Sequence, residues 1–318
     1  MAQGGNPCME IILRKNGVCN LTELNLMGFV EDGKLNEPEL YDAHKLSAGA
    51  GYRMATIDFE LHKWDLVNKE DMLIGCGLTG WYDMVNATNI STEKQIEILK
   101  NLKQVAHKAA NELAEKLNLN KPKLYTTIKP SGTLSQLPGV SSGVHYSHSP
   151  YYLRRVRINA FDPLVGVVRE LGYPVLPEVG QTEENCDTVV VEFPVKAPEG
   201  KTKYEVSAIE QLENYLMFMR YYADHNVSIT VHVRDYEWDD VEQWCWDNWD
   251  ETIAVSFLAL DDSFYQLMPY ESIEEEEYKK RKARMKKFNP TLLKKYEKEE
   301  IELDIGDDGC ESGICPIR

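Results

Sequence analysis

An α/β fold is the class this chain predicts, on three observations. Residues 92–117 place Ile96, Leu99, Leu102, Val105, Ala109, Leu113 and Leu117 at three- and four-residue steps, the period of a helix that buries one face. Directly after it, Lys123-Leu124-Tyr125-Thr126-Thr127-Ile128 is rich in β-forming residues and runs into the turn Pro130-Ser131-Gly132-Thr133. This helix, strand and glycine-loop rhythm then recurs. At 318 residues and 43% apolar content, the chain can bury a full core.

In order, the pattern predicts a helix near 162–171, a strand at 188–193 (Thr-Val-Val-Val-Glu-Phe) and a helix near 207–222. A strand at 227–233, a helix near 236–247 and a last core strand at 254–260 follow. Strands separated by helices favour a parallel sheet with crossover helices. Arg154-Arg155-Val156-Arg157-Ile158 fits an exposed strand face, and Cys245 with Trp244, Trp246 and Trp249 fits a packed helix face. From Glu271 the chain becomes highly charged, as expected of solvated helical surface. Residues 304–309 carry too little apolar content to pack and would leave the last residues on a flexible tether. The expected organisation is therefore one unit over 1–270, a charged helical segment over 271–302 and a flexible tail over 303–318.

A formal net charge of −17 and a pI near 4.9 argue against a nucleic-acid-coating surface, because phosphate contacts need clustered Lys and Arg. Any anionic substrate must be held locally. The N-terminus lacks the basic start and apolar run of a signal peptide, and no stretch approaches a membrane span, so a cytoplasmic location is expected. Seven cysteines are too few and too scattered for a disulfide scaffold. Cys76, Cys186 and Cys245 have no patterned neighbours and read as packing residues. His145 and His148 lack the further ligands a metal site needs, and no metal is expected.

The other four cysteines are patterned. Cys8 lies in Asn6-Pro7-Cys8-Met9-Glu10, where a proline stiffens the backbone between amide and thiol and a carboxylate follows. Cys19 comes eleven positions later, and Cys310 and Cys315 close the chain in Cys310-Glu311-Ser312-Gly313-Ile314-Cys315. Thiol redox chemistry at both ends is the implication, although for the first cluster alone a strand-edge cysteine beside a surface glutamate is equally open. In Ser131, Gly132, Thr133 and Leu134, hydroxyls and backbone N–H groups could converge on phosphate; on its own the same motif is an ordinary turn.

Taken together, Asn6-Pro7-Cys8-x-Glu10, Lys129-Pro130-Ser131-Gly132-Thr133-Leu134 and the terminal cysteine pair resemble the catalytic subunit of ribonucleotide reductases. The resemblance implies a ten-stranded α/β barrel of two five-stranded halves, with the catalytic cysteine on a finger loop. This chain would supply mainly the second half, with finger loop and redox tail. By the same resemblance Cys8 is the thiyl radical that removes the 3′ hydrogen of the ribose, Glu10 the base toward the 3′ hydroxyl, and Asn6 the amide that binds substrate hydroxyls. Cys19 is one member of the reducing pair, its partner lying in the first half. Ser131, Gly132, Thr133 and Leu134 hold the substrate phosphate, and Cys310 and Cys315 shuttle electrons from a thioredoxin-like dithiol protein.

The interval from Cys8 to Cys19, the stretch Ser256-Phe257-Leu258-Ala259-Leu260-Asp261-Asp262 and Gln266-Leu267-Met268-Pro269-Tyr270-Glu271 resemble the adenosylcobalamin-dependent, monomeric, triphosphate-reducing branch. That implies adenosylcobalamin as cofactor, a ribonucleotide as substrate and a separate or missing N-terminal half as partner. Two alternatives stay open: a fragment of a subunit-dependent, metal-cofactor reductase, or a non-catalytic orphan half-domain.

Overall fold

The computed structural model describes residues 3–260 and 265–297, which divide into two compact units. The first comprises residues 3–152, 195–260 and 272–274; the second comprises 153–194, 265–271 and 275–297. Cys310 and Cys315 lie outside the described residues, as does the whole of 303–318.

Five backbone segments run parallel in the first unit. Strand Asn20–Asn25 pairs with Ile74–Thr79 from Asn20↔Ile74 to Asn25↔Thr79. Cys76 then bridges to Thr126, and Ile128 to Val227, each in parallel. Strand Thr230–Val233 completes the series by pairing with Ser256–Ala259. The expected strand at 123–128 is thus present only as bridges. Its Pro122 and Pro130 flanks cannot donate to a ladder, which confines regular pairing to the residues between them.

Crossover helices connect these segments, as parallel pairing requires. Helix Thr92–Leu117 starts at Ser91, whose side chain accepts from Lys94 N–H at 3.3 Å, and stops at Asn118 in the left-handed conformation. Its buried face carries Ile98, Leu99, Leu102, Ala106, Ala109, Ala110 and Ala114. That face is rotated from the expected one: small alanines take the centre, where they pack with Ala48, Tyr52 and Ala55 of helix Glu37–Ala55 and with Ile74 and Cys76. Larger residues such as Val105 and Leu113 sit half-buried at the rim. Helix Ala208–Tyr221 is capped by Ser207, which accepts from Glu210 N–H at 3.0 Å, and buries Leu212, Tyr215, Leu216 and Phe218.

The opposite face of strand Ile74–Thr79 carries glycine. A Cβ on Gly75 would meet Leu21 at 2.6 Å, Thr127 at 2.9 Å and Ile11 at 3.1 Å, so only glycine lets the N-terminal loop approach the sheet this closely.

The second unit is built on a four-stranded sheet, in the order Tyr270–Ser272, Tyr151–Asn159, Thr188–Lys196, Val175–Pro177. Thr188–Lys196 therefore does not join the parallel series; it pairs antiparallel with Val175–Pro177. Helical spacing predicted a crossover, but the short connection through residues 178–187 returns the chain as a hairpin. Arg155 is buried in the strand predicted to present an exposed face, because its guanidinium pairs with Glu192 and Glu271. Helix Glu275–Arg284 buries none of its residues and is acidic in its first turn and basic in its last. In helix Trp238–Asp247, Trp244 is buried but Trp246 is exposed, stacked on exposed Trp249. The expected packed face is thus narrower than its tryptophans suggested.

Candidate active site

Cys8 stands at the tip of a hairpin. Gly4–Gly5 pairs antiparallel with Ile12–Leu13, and Asn6 closes the turn between them. Its carbonyl accepts from Met9 N–H at 2.9 Å, its Oδ1 accepts from Ile11 N–H at 3.1 Å, and its own N–H donates to Ile11 at 3.3 Å. Asn6 Nδ2 donates to none of the described residues, so the amide keeps two donors for another partner. Met9 adopts φ 57°, a left-handed conformation that costs a side-chain-bearing residue and persists where its surroundings hold it.

What holds it is a clamp from the parallel segments. Asn226 Nδ2 donates to the Met9 carbonyl at 2.8 Å, and Asn226 N–H donates to the Glu10 carbonyl at 3.1 Å. Thr127 Oγ1 shares its proton between the carbonyls of Glu10, at 2.7 Å, and Asn226, at 2.9 Å. The Tyr215 hydroxyl orients the Asn226 amide by donating to its Oδ1 at 3.0 Å. None of these three residues stood out in the sequence. The one available signal was Asp224-His225-Asn226, a polar triplet immediately before an apolar strand, where loop carbonyls need donors.

Two ionisable groups share the tip. Cys8 is exposed, yet partial desolvation and then the Glu10 charge raise its thiol above the ordinary range, against an opposing effect of Lys129. The sulfur thus keeps its hydrogen. Glu10 is only 3% exposed, and its Oε2 is buried without a hydrogen-bond partner among the described residues. A buried carboxylate oxygen left unpaired is costly, and such groups collect where a ligand completes them.

Cys19 lies on the same face of the sheet, immediately before strand Asn20–Asn25. Burial raises its thiol well above the usual range, helped by the charges of Cys76 and Glu10. His225 Nε2 is 3.9 Å from its Sγ and 3.1 Å from the Ile74 carbonyl, while His225 Nδ1 accepts from Ile12 N–H at 3.3 Å. Those contacts define a neutral imidazole with its proton on Nε2, and burial lowers its pKa to about 4. Cys76 pairs in register with Thr22 and packs among Ala48, Tyr52 and Ala106, whereas Leu21 and Cys19 fall on the Gly75 side. The two sulfurs are thus on opposite faces of the sheet, and Cys76 does not complete a dithiol with Cys19.

The Pro130–Leu137 loop follows the third parallel segment. Ser131 adopts φ 40° and a single 3₁₀ turn, Leu134–Gln136, begins just after it. Gly132 has open space where a Cβ would stand, and Leu134 is exposed. Ser131 Oγ donates to Glu23 Oε2 at 2.6 Å, with Lys129 Nζ 3.9 Å from the same oxygen. Asn6, Cys8, Glu10, Cys19 and Ser131–Leu134 are all in the first unit. Among the described residues no group of three or more His, Cys, Asp or Glu could hold a metal. No described helix is long and apolar enough to cross a membrane.

This fold is that of ribonucleotide reductase catalytic chains. A crystal structure of a B-12 dependent (class II) ribonucleotide reductase superposes with a TM-score of 0.79 at 24% identity, covering 92% of this chain and 44% of that one. The class Id alpha subunit from Actinobacillus ureae superposes less closely, with a TM-score of 0.54 at 19% identity, covering 82% and 54%. No family model matches the chain. Among curated proteins, the adenosylcobalamin-dependent ribonucleoside-triphosphate reductase of Lactobacillus gasseri is 27% identical over 348 residues, spanning 99% of this chain and 45% of that protein. A probable enzyme of the same name from Dictyostelium discoideum is 31% identical over 328 residues, spanning 99% and 40%. The resemblance carried by the motifs therefore extends over nearly the whole chain. The chain spans a little under half the length of these relatives.

Proposed function

We propose that this chain is the C-terminal catalytic portion of an adenosylcobalamin-dependent ribonucleotide reductase, which converts ribonucleoside triphosphates to 2′-deoxyribonucleotides by a cysteine thiyl radical. The observation that carries this is the clamped hairpin tip: an exposed thiol, Cys8, beside a buried and unpaired carboxylate oxygen of Glu10. Residues 1–270 would form the second half of the barrel with its finger loop, 271–302 a charged helical segment and 303–318 the redox tail. The remaining half would come from the part of the relatives that this chain does not span.

The residues present suit the cofactor its relatives are named for. Pro7, Cys8 and Met9 are the exposed residues of the tip, so they are where such a group would lie against the loop. When bound, the cofactor supplies the radical that takes hydrogen from the Cys8 thiol. The remaining steps belong to the chain. The Cys8 thiyl removes the ribose 3′ hydrogen, a near-balanced exchange because S–H and ribose C–H bonds are close in strength. Asn6 Nδ2 holds the substrate hydroxyls, and the Glu10 carboxylate accepts the 3′-OH proton as the 2′ hydroxyl leaves as water. Cys19 and a thiol of the other half together provide two electrons and two protons and become a disulfide. Cys8 then returns the hydrogen to C3′, and Glu10 returns its proton to the 3′ oxygen. Cys310 and Cys315 reduce the disulfide by exchange and are recycled by a thioredoxin-like dithiol protein.

The test is reconstitution: this chain, the complementary half, adenosylcobalamin, a nucleoside triphosphate and a dithiol, assayed for deoxynucleotide beside a Cys8→Ala control. The expected result is product that the control lacks, and none from this chain alone. No product with assembly verified would move the assignment to a metal-subunit reductase or a non-catalytic half.

A further inference from the structure

Glu23 has no role in the reaction described above, yet it sits where a carboxylate is least expected. It projects from strand Asn20–Asn25, where it pairs in register with Gly77 of the neighbouring strand. The Glu23 side chain is 8% exposed. Oε2 takes the Ser131 hydroxyl at 2.6 Å and faces the Lys129 ammonium at 3.9 Å, while Oε1 is buried with no hydrogen-bond partner among the described residues. Burial pushes the carboxyl above the usual range, partly offset by the Ser131 bond and the Lys129 charge. Ser131 is itself held in a left-handed conformation, and its bond to Glu23 is one contact that keeps it there. The hydroxyl and the cation that a phosphate would use are therefore already shared with an internal anion.

We propose that Glu23 is a specificity-determining residue of the phosphate loop: its carboxylate competes with the substrate's phosphate for the Ser131 hydroxyl and the Lys129 charge, and so sets how tightly the loop holds phosphate. The proposal rests on the assignment of Ser131–Leu134 as the substrate-phosphate loop. On binding, the Ser131 hydroxyl turns from Glu23 Oε2 to a phosphoryl oxygen, and Lys129 is left to balance both anions. A neutral isostere at position 23 keeps an acceptor for Ser131 but removes the like-charge repulsion.

Isothermal titration of the full-length chain with inorganic tripolyphosphate tests this, using wild type, Glu23→Gln, Glu23→Asp and Ser131→Ala, each checked for fold by circular dichroism. Glu23→Gln should bind about tenfold tighter, the order of one charge-assisted hydrogen bond, and Ser131→Ala should bind more weakly. Glu23→Asp, which keeps the charge but withdraws it from Ser131, should fall between wild type and Gln and serves if the Gln protein does not fold. Equal or weaker binding by both Glu23 variants, with Ser131→Ala still impaired, would overturn the role of Glu23 and leave the loop assignment standing. Absence of binding by every protein, or binding indifferent to Ser131→Ala, would remove the loop assignment and the proposal with it.

Discussion

Two kinds of buried carboxylate divide this molecule. In the second unit, Glu192 is 5% exposed and fully engaged: Oε1 accepts from Arg155 Nε at 2.8 Å and Oε2 from Arg281 Nη1 at 2.5 Å. Arg155 extends the network to Glu271 at 2.6 Å, and Arg281 to Glu277 at 2.6 Å. In the first unit, Glu10 is buried and the side chain of Glu23 is 8% exposed, but each keeps one oxygen without a partner among the described residues. Charges closed on themselves serve the fold. Charges left open are retained against a desolvation cost, which is the mark of a group whose partner arrives during function.

The contrast breaks most visibly at the hairpin. In the reconstituted enzyme, Cys8→Ala should bring deoxynucleotide formation to background, and Glu10→Gln should lower it by about 10²- to 10⁴-fold. Thermal unfolding of either variant should stay near wild type. A large loss of stability would show that Glu10 belongs with Glu192.

The reverse pattern is expected in the second unit. Arg155→Ala leaves Glu192 buried with one oxygen unpaired and should destabilise by about 3–5 kcal/mol, read from urea unfolding. Replacing the Arg155 and Glu192 pair together by well-packed apolar residues should recover much of this loss. A mild Arg155→Ala phenotype would remove the distinction between the two carboxylate classes.

Smaller effects sharpen the picture of the clamp. Asn226→Ala deletes the bond to the Met9 carbonyl and should cost about 1–3 kcal/mol, with faster amide hydrogen exchange at Met9 and Ile11. Unchanged exchange there would mean that Thr127 and the Asn226 backbone N–H suffice to hold the loop.

A pH dependence follows from the buried histidines. Burial lowers His44, His225 and His232 from 6.5 to about 4 each. Because the unfolded chain binds these protons first, their stabilising contribution is complete above pH 6.5 and is lost as the pH falls toward 4. Each group contributes at most about 1.4 kcal/mol per pH unit in that window. His225→Gln should flatten the slope of stability against pH by one proton, and an unaltered slope would show that His225 is not buried neutral beside Cys19.

The particular residues show where sequence was enough. The α/β class, the helix at 92–117, the later parallel segments at 123–128, 227–233 and 254–260 and the cysteine-carboxylate cluster were readable because periodicity and short-range spacing survive in a single chain, whereas strands Asn20–Asn25 and Ile74–Thr79 were not anticipated. Asn6, Cys8 and Glu10 are adjacent in sequence, so a hairpin had only to present them. The long-range partners were not readable: Asn226 meets Met9 across 217 positions, His225 lies 206 from Cys19, and Ser131 lies 108 from Glu23. Nothing local distinguishes Glu23 from a surface glutamate, or Arg155 from an exposed strand arginine.

By itself, then, the sequence determined the α/β class, the helix at 92–117, the adjacency of Asn6, Cys8 and Glu10 and the likeness to ribonucleotide reductases. Tertiary structure alone decided that Thr188–Lys196 leaves the parallel series, that Cys76 and Cys19 occupy opposite faces, and which buried carboxylates are closed or open. The physical reason is the same in each case. Strand partners, sheet faces and desolvation depend on what other segments bring alongside a residue, and no local pattern encodes that company.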